Sequence, residues 1–199
     1  MGWQIRCRHS IPSGNPMIFK DTPLEGAVIL EIEAKVDARG LFARTVCREE
    51  LERHGINAAF VQQSTSWNPH LGTLRGLHFQ APPHEEEKLV RVTRGAVFDV
   101  LVDLRPGSAS FGKWFSIELS ADNRRQIYIP KGVAHGFQTL QPETEVLYEM
   151  TVPFHPDAPR GIRWDDPNLA IKWPDTPHRL ISERDQELMF FQQQLPPRP

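Results

Sequence analysis

Cysteine is scarce in this chain: 199 residues carry only Cys7 and Cys47, in dissimilar contexts. That usage excludes a disulfide-stapled scaffold, and a cytoplasmic location is the expected one. No apolar run follows Arg6 and Arg8, so a secretory signal is not expected either. Long hydrophobic stretches are also missing. The longest, such as residues 27–30 and 100–102, fall far short of the roughly 20 residues that span a bilayer, which excludes a membrane partner. Basic residues are not in excess, with 23 Lys and Arg against 25 Asp and Glu and a net charge of -2. Nothing is left over to neutralise a phosphate backbone, so nucleic acid is not an expected partner.

What the chain does have is 39% hydrophobic residues, enough over this length for one sizeable core and one domain. Residues 1–22 carry Gly, Pro and Ser without periodicity and read as an N-terminal arm, and 195–199 as a Pro-rich tail. The domain between them, 23–194, is a succession of short strand-like runs at 27–32, 59–64, 73–80, 88–93, 96–103, 114–119, 126–129, 136–140 and 145–151. Arg94-Gly95 parts two runs tightly enough for a hairpin, and Arg105-Pro-Gly-Ser108 is a Pro-Gly turn. This spacing is that of an all-β sandwich or jelly roll, not of βαβ units. Two peripheral helices are predicted, one at 49–54 ended by Gly55 and one near the C-terminus from Ser182 to about Gln193, opened by a capping box. Residues 153–177, rich in Pro, Asp and Trp, read as ordered coil wrapped around the barrel.

Two runs concentrate chemistry: Arg75-Gly-Leu-His78-Phe-Gln80 and Pro130-Lys-Gly-Val-Ala-His135-Gly-Phe137. His78 is the leading general base, since an imidazole titrates near neutral pH and takes a proton from carbon beside a carbonyl when a carboxylate holds its ring. A packed strand histidine is the plain alternative. Strict alternation puts Arg75 and His78 on opposite faces, so a site using both requires a break in register, for which Gly76 leaves room as a bulge. Lys88 could stabilise an oxyanion, although a lysine at a strand end is more often solvated. Asp99 lies in an apolar run and needs a partner, with Lys88 or Arg91 on the preceding run expected to supply it. Tyr148 reads first as a core tyrosine and second as a proton donor. Asp185 reads first as the capping-box carboxylate, and as the group that orients His78 only through a tertiary contact.

Arginines cluster near the same runs (Arg39, Arg44, Arg75, Arg160, Arg184), and with an aromatic such as Phe42 or Phe154 they suit a diphosphate bearing a base. A divalent metal held by His78, one glutamate of Glu85-Glu-Glu87 and His135 stays open, though Gln80 stands where a second metal-binding histidine would be expected.

Ten segments in register resemble one family. They include Asp37-Ala-Arg-Gly-Leu-Phe42, Leu74-Arg-Gly-Leu-His-Phe-Gln80, Lys88-Leu-Val-Arg, Ile129-Pro-Lys-Gly-Val-Ala-His-Gly-Phe137 and Ile181-Ser-Glu-Arg-Asp185, and the family is that of dTDP-4-dehydrorhamnose 3,5-epimerase. The resemblance implies a cupin-type jelly roll without metal or cofactor, working as a homodimer on a nucleotide-linked 4-keto-6-deoxy sugar. It further implies His78 as base, Asp185 as its orienter, Tyr148 as the opposing acid and Lys88 as the enolate stabiliser. His135 would line the sugar pocket, Arg39 and Arg75 would contact the diphosphate, and Gln62 and Phe154 would serve the base. The chain departs from the family at Arg44 and Arg184, counted with Phe42 among the substrate contacts, and this points to weaker discrimination for thymine. A metal-dependent cupin oxygenase or isomerase and a non-catalytic sugar-binding cupin are the alternatives.

Overall fold

The computed structural model describes residues 16–191. Two antiparallel sheets make the body. The first has six strands in the order β1 (Ile18–Asp21), β2 (Val28–Glu31), β10 (Gln126–Ile129), β7 (Lys88–Arg94), β12 (Thr144–Met150) and β5 (Gln62–Asn68). The second has five, in the order β13 (Pro159–Gly161), β6 (Leu74–Gln80), β11 (Val133–Thr139), β8 (Ala96–Asp103) and β9 (Trp114–Ser120). A separate hairpin pairs β3 (Lys35–Asp37) with β4 (Gly40–Phe42), and the helices are α1 (Arg48–Arg53) and α2 (Glu183–Gln186). The all-β expectation with two short helices holds.

The core lies between the sheets, where Val90, Ile127 and Val146 of the first meet Val97, Leu101 and Phe137 of the second. Burying each such side chain contributes about 1.5–3 kcal/mol. Both outer faces are covered as well. Leu51 and Ile56, on and just after α1, pack on Leu30, Leu89 and Tyr128 of the six-stranded sheet. Ile162, Leu169 and Trp173 pack on Val100, Val102 and Ala134 of the five-stranded sheet, so the 153–177 coil wraps the body as expected. This double coverage explains why β8 is buried at seven of its eight positions and reads as an apolar run interrupted only by Asp99 before it ends at Asp103.

Several sequence expectations need correction. β1 draws residues 18–21 out of the supposed arm and into the sheet, beside β2; residues 1–15 and the 195–199 tail lie outside the described residues. Arg94-Gly95 does not close a hairpin. It is a corner, because β7 pairs with β10 and β12 while β8 pairs with β11 and β9 in the other sheet. The run expected at 59–64 is shifted to Gln62–Asn68, and α2 stops at Gln186, because the following Leu188, Met189, Phe190 and Phe191 have no helical period.

The break in register at Gly76 is present. His135 faces His78 and Phe137 faces Arg75, so two steps along β11 span three along β6. The extra residue turns Arg75 and His78 toward the same cavity. Gly76 has φ +126°, and a Cβ there would lie 2.5 Å from the Cα of Gly136 on β11. Gly76→Ala is therefore expected to destabilise the fold by about 3 kcal/mol or more, read as a lower urea midpoint; an unchanged midpoint would show that the bulge tolerates a side chain.

Candidate active site

One cavity of about 330 Å³ opens between the two sheets. The five-stranded sheet contributes Arg75 and His78 from β6 and His135 from β11; the six-stranded sheet contributes Ser64 and Ser66 from β5, Lys88 from β7 and Tyr148 from β12. Phe154 and Arg184 complete its wall from the coil and from α2.

His78 Nε2 lies 2.7 Å from Asp185 Oδ1, across 107 residues of chain. The other oxygen, Oδ2, accepts the Gly76 N–H at 3.1 Å. Burial raises the Asp185 carboxyl, but the His78 hydrogen bond and charge, the Gly76 amide and Arg184 outweigh it and hold the pKa below the usual value. An ionised Asp185 can only accept, so Nε2 donates in this bond and Nδ1 is the nitrogen not engaged by Asp185. The plain capping reading is half right. Ser182 Oγ accepts the Asp185 N–H at 3.2 Å, while the Asp185 carboxylate turns to His78 and Gly76 instead of back to its own helix.

A second pair lies beside the first. His135 Nε2 is 2.7 Å from Asp99 Oδ2, with Asp99 fully buried and His135 5% exposed. Neither Lys88 nor Arg91 meets Asp99, because β7 and β8 belong to different sheets; the partner comes from β11, where β8 pairs. Tyr148 stands edge-on to His135, ring centroids 5.9 Å apart. Burial and the nearby Asp99 charge push its phenol well above the ordinary value, with Arg75 opposing, so it stays protonated at neutral pH. It is a cavity residue as well as a packed one. Lys88 is likewise no solvated edge lysine. Its strand lies inside the sheet, its side chain is 13% exposed, and Nζ is 2.8 Å from Glu86 Oε1.

Arg75 Nε donates to Asn68 Oδ1 at 2.8 Å, which fixes its stem beneath the cavity. Gln62 accepts the Phe154 N–H at 3.0 Å and so props the exposed Phe154 ring at the cavity wall. Three expected contacts lie elsewhere in the chain. Arg39 pairs with Asp37 on the β3–β4 hairpin, Phe42 on the same hairpin is 78% exposed, and Arg44 pairs with the buried Glu50 of α1. Because Glu50 also accepts the Met17 N–H, Arg44 is held as a partner for a buried carboxylate. Sequence reasoning missed Ser64, Ser66 and the pairing role of Glu86. The signal it had for Asp99, a carboxylate in an apolar run, was correct, but its partner was not.

Of the conceivable metal ligands, His78 and His135 each bond a carboxylate, Glu86 pairs with Lys88, and Gln80 bonds the backbone of His84, Pro153 and His155. No group of three or more His, Cys, Asp or Glu among the described residues converges on a metal position. What the cavity does present is a carboxylate-held imidazole with a free nitrogen on one sheet, and a protonated phenol and an ammonium on the other. That arrangement can remove a proton from a carbon beside a carbonyl, carry the resulting charge and return a proton from the opposite side.

A sequence model of the dTDP-4-dehydrorhamnose 3,5-epimerase family matches residues 21–193. Among curated proteins, the dTDP-4-dehydrorhamnose 3,5-epimerase of Sinorhizobium fredii is 44% identical over 169 residues, covering 85% of this chain and 87% of that enzyme. Among solved structures, the Bacillus anthracis enzyme with TDP and PPi bound superposes with a TM-score of 0.84 at 41% identity, over 87% of this chain and 99% of that one. The Legionella pneumophila enzyme in complex with dTDP-4-keto-L-rhamnose gives a TM-score of 0.84 at 38% identity, over 88% and 93% of the two chains.

The buried Asp99–His135 pair makes a sharp stability test. Asp99→Ala leaves a buried ring N–H without its acceptor and is expected to cost about 3 kcal/mol. Removing Asp37 from its exposed pair with Arg39 should barely move the denaturation midpoint. Equal midpoints for the two variants would contradict the difference in burial.

Proposed function

The chain belongs to the dTDP-4-dehydrorhamnose 3,5-epimerase family, and from that premise we propose how its own residues carry out the epimerisation of a dTDP-linked 4-keto-6-deoxy sugar. The reaction is an isomerisation by proton removal and return, and the observation that carries the assignment is one cavity shared by His78 from one sheet and Tyr148 from the other. The ketone at C4 acidifies the hydrogens on the carbons beside it. His78 Nδ1 takes one of these protons, and Asp185 steadies the imidazolium that forms. The electron pair moves onto O4, where the Lys88 ammonium stabilises the enolate. Tyr148 then gives its phenol proton to the same carbon from the opposite side, which inverts it. Proton exchange with water resets the imidazolium and the phenolate. The sequence of steps needs no redox change and no group beyond these side chains.

Arg75 and Arg184 are suited to the diphosphate as guanidinium donors, and Phe154, supported by Gln62, to stacking on the base. His135, fixed by Asp99, lines the sugar end. Arg44 pairs with the buried Glu50 of α1, which suits it to a structural task. The protein acts in the cytoplasm as a homodimer. Two features of the surface support the dimer: β1 is a sheet edge among the described residues, and the β3–β4 hairpin exposes Val36 and Phe42 at 76% and 78%. In the dimer Arg39 and Phe42 reach the neighbouring cavity. No specific observation favours a metal-dependent or a purely sugar-binding role.

Two measurements test this reading. In D2O with dTDP-4-dehydrorhamnose, His78→Ala should lose solvent exchange by a factor of about 10³ or more while dTDP binding changes little, since the base acts in the transition state. Tyr148→Phe should slow inversion yet still wash in deuterium. Wild-type exchange in His78→Ala would overturn the assignment of the base. Sedimentation at micromolar concentration should give a dimer that is lost when residues 1–35 are deleted, and a monomeric full-length chain would contradict the assembly.

A further inference from the structure

Glu86 is the only carboxylate among the described residues that line the cavity, where it stands with Arg75, Lys88 and Arg184. Its side chain is 5% exposed, and Oε1 lies 2.8 Å from Lys88 Nζ. The backbone between the two is pinned. The Glu87 N–H donates to Thr151 Oγ1 at 3.0 Å, and the Thr151 N–H donates to the Glu87 carbonyl at 3.1 Å. Lys88 itself is in register with Met150 on β12 and Ile129 on β10. The backbone that carries both side chains is thereby fixed to the sheet.

A lysine alone places charge poorly, because its stem is flexible and its three donors rotate. A carboxylate at contact distance fixes the ammonium in one place. Its charge has a second effect of opposite sign, since it repels an enolate forming beside the same ammonium. Removing Lys88 alone would therefore leave a buried carboxylate facing the enolate, which is worse than removing both charges.

We propose that Glu86 is a positioning residue for the epimerisation: it holds the Lys88 ammonium at the substrate's ketone oxygen and sets the net charge felt there. This rests on the reading of Lys88 given above. The test uses solvent deuterium exchange of dTDP-4-dehydrorhamnose by Glu86→Ala, Glu86→Gln, Lys88→Met and the double variant Lys88→Met/Glu86→Gln, with dTDP affinity measured for each to show an intact cavity. Glu86→Ala should lower kcat by roughly tenfold with little change in KM, and Glu86→Gln, which keeps an acceptor for Nζ, should recover most of the loss. The double variant should be faster than Lys88→Met, because the stranded carboxylate is gone. Full kcat in Glu86→Ala, a Glu86→Gln variant as slow as Glu86→Ala, or a double variant slower than Lys88→Met would each overturn the proposal. The two readings fail differently. Full exchange in Lys88→Met overturns the enolate role of Lys88 and this proposal with it, whereas a slow Lys88→Met with additive Glu86 effects overturns only the proposal.

Discussion

Two carboxylates, Asp185 and Asp99, are taken almost wholly out of water, and each is compensated by one imidazole of the cavity at 2.7 Å. Burying an unpaired carboxylate is costly enough that the fold must deliver its partner with little tolerance. Much of the architecture serves that requirement. His78 and His135 face each other across β6 and β11, so the two pairs sit side by side on one sheet. Asp99 reaches His135 because β8 is the neighbour of β11 on its other edge, and Asp185 reaches His78 because α2 is brought against β6.

The outer layers follow from the same need. The coil that carries Ile162 and Leu169 closes over the five-stranded sheet and leads the chain back to α2. The β13 strand on that coil pairs with Phe79 and His78, which ties the strand that carries His78 on its second edge. On the other side, α1 seals the six-stranded sheet below Leu89, one residue beyond Lys88. An imidazole held by one sheet and a phenol and an ammonium held by the other face a common space because two rigid layers, not loops, carry them.

How far this was legible in the sequence depends on what each element buries. β8 and β10 stand out as apolar runs because both of their faces are covered or flanked, and their bounds match. β5 reads Gln-Gln-Ser-Thr-Ser-Trp-Asn, an edge strand with little apolar signal, so its position slipped. The β3–β4 hairpin is exposed at every residue and leaves no periodicity to detect. β13 begins with a proline, which fits a sheet edge but suppresses a strand reading. At the site, the residue types and the bulge at Gly76 were readable. The pairings were not readable from the residues: Asp185 with His78 followed only from the family resemblance and Asp99 with His135 not at all, because both depend on which strands become neighbours, and that is decided by the corner at Arg94-Gly95 and by the long return of the C-terminal coil.

The central claim is spatial: base and acid lie on opposite sides of the sugar ring, each carried by a different sheet. A crystal structure of this protein with dTDP-4-dehydrorhamnose bound measures it directly. The expected result places His78 Nδ1 against one face of the ring beside C4, the Tyr148 hydroxyl against the other, and Lys88 Nζ at the ketone oxygen. A complex with His78 and Tyr148 on the same face, or with the sugar ring outside the space between the sheets, would contradict the account.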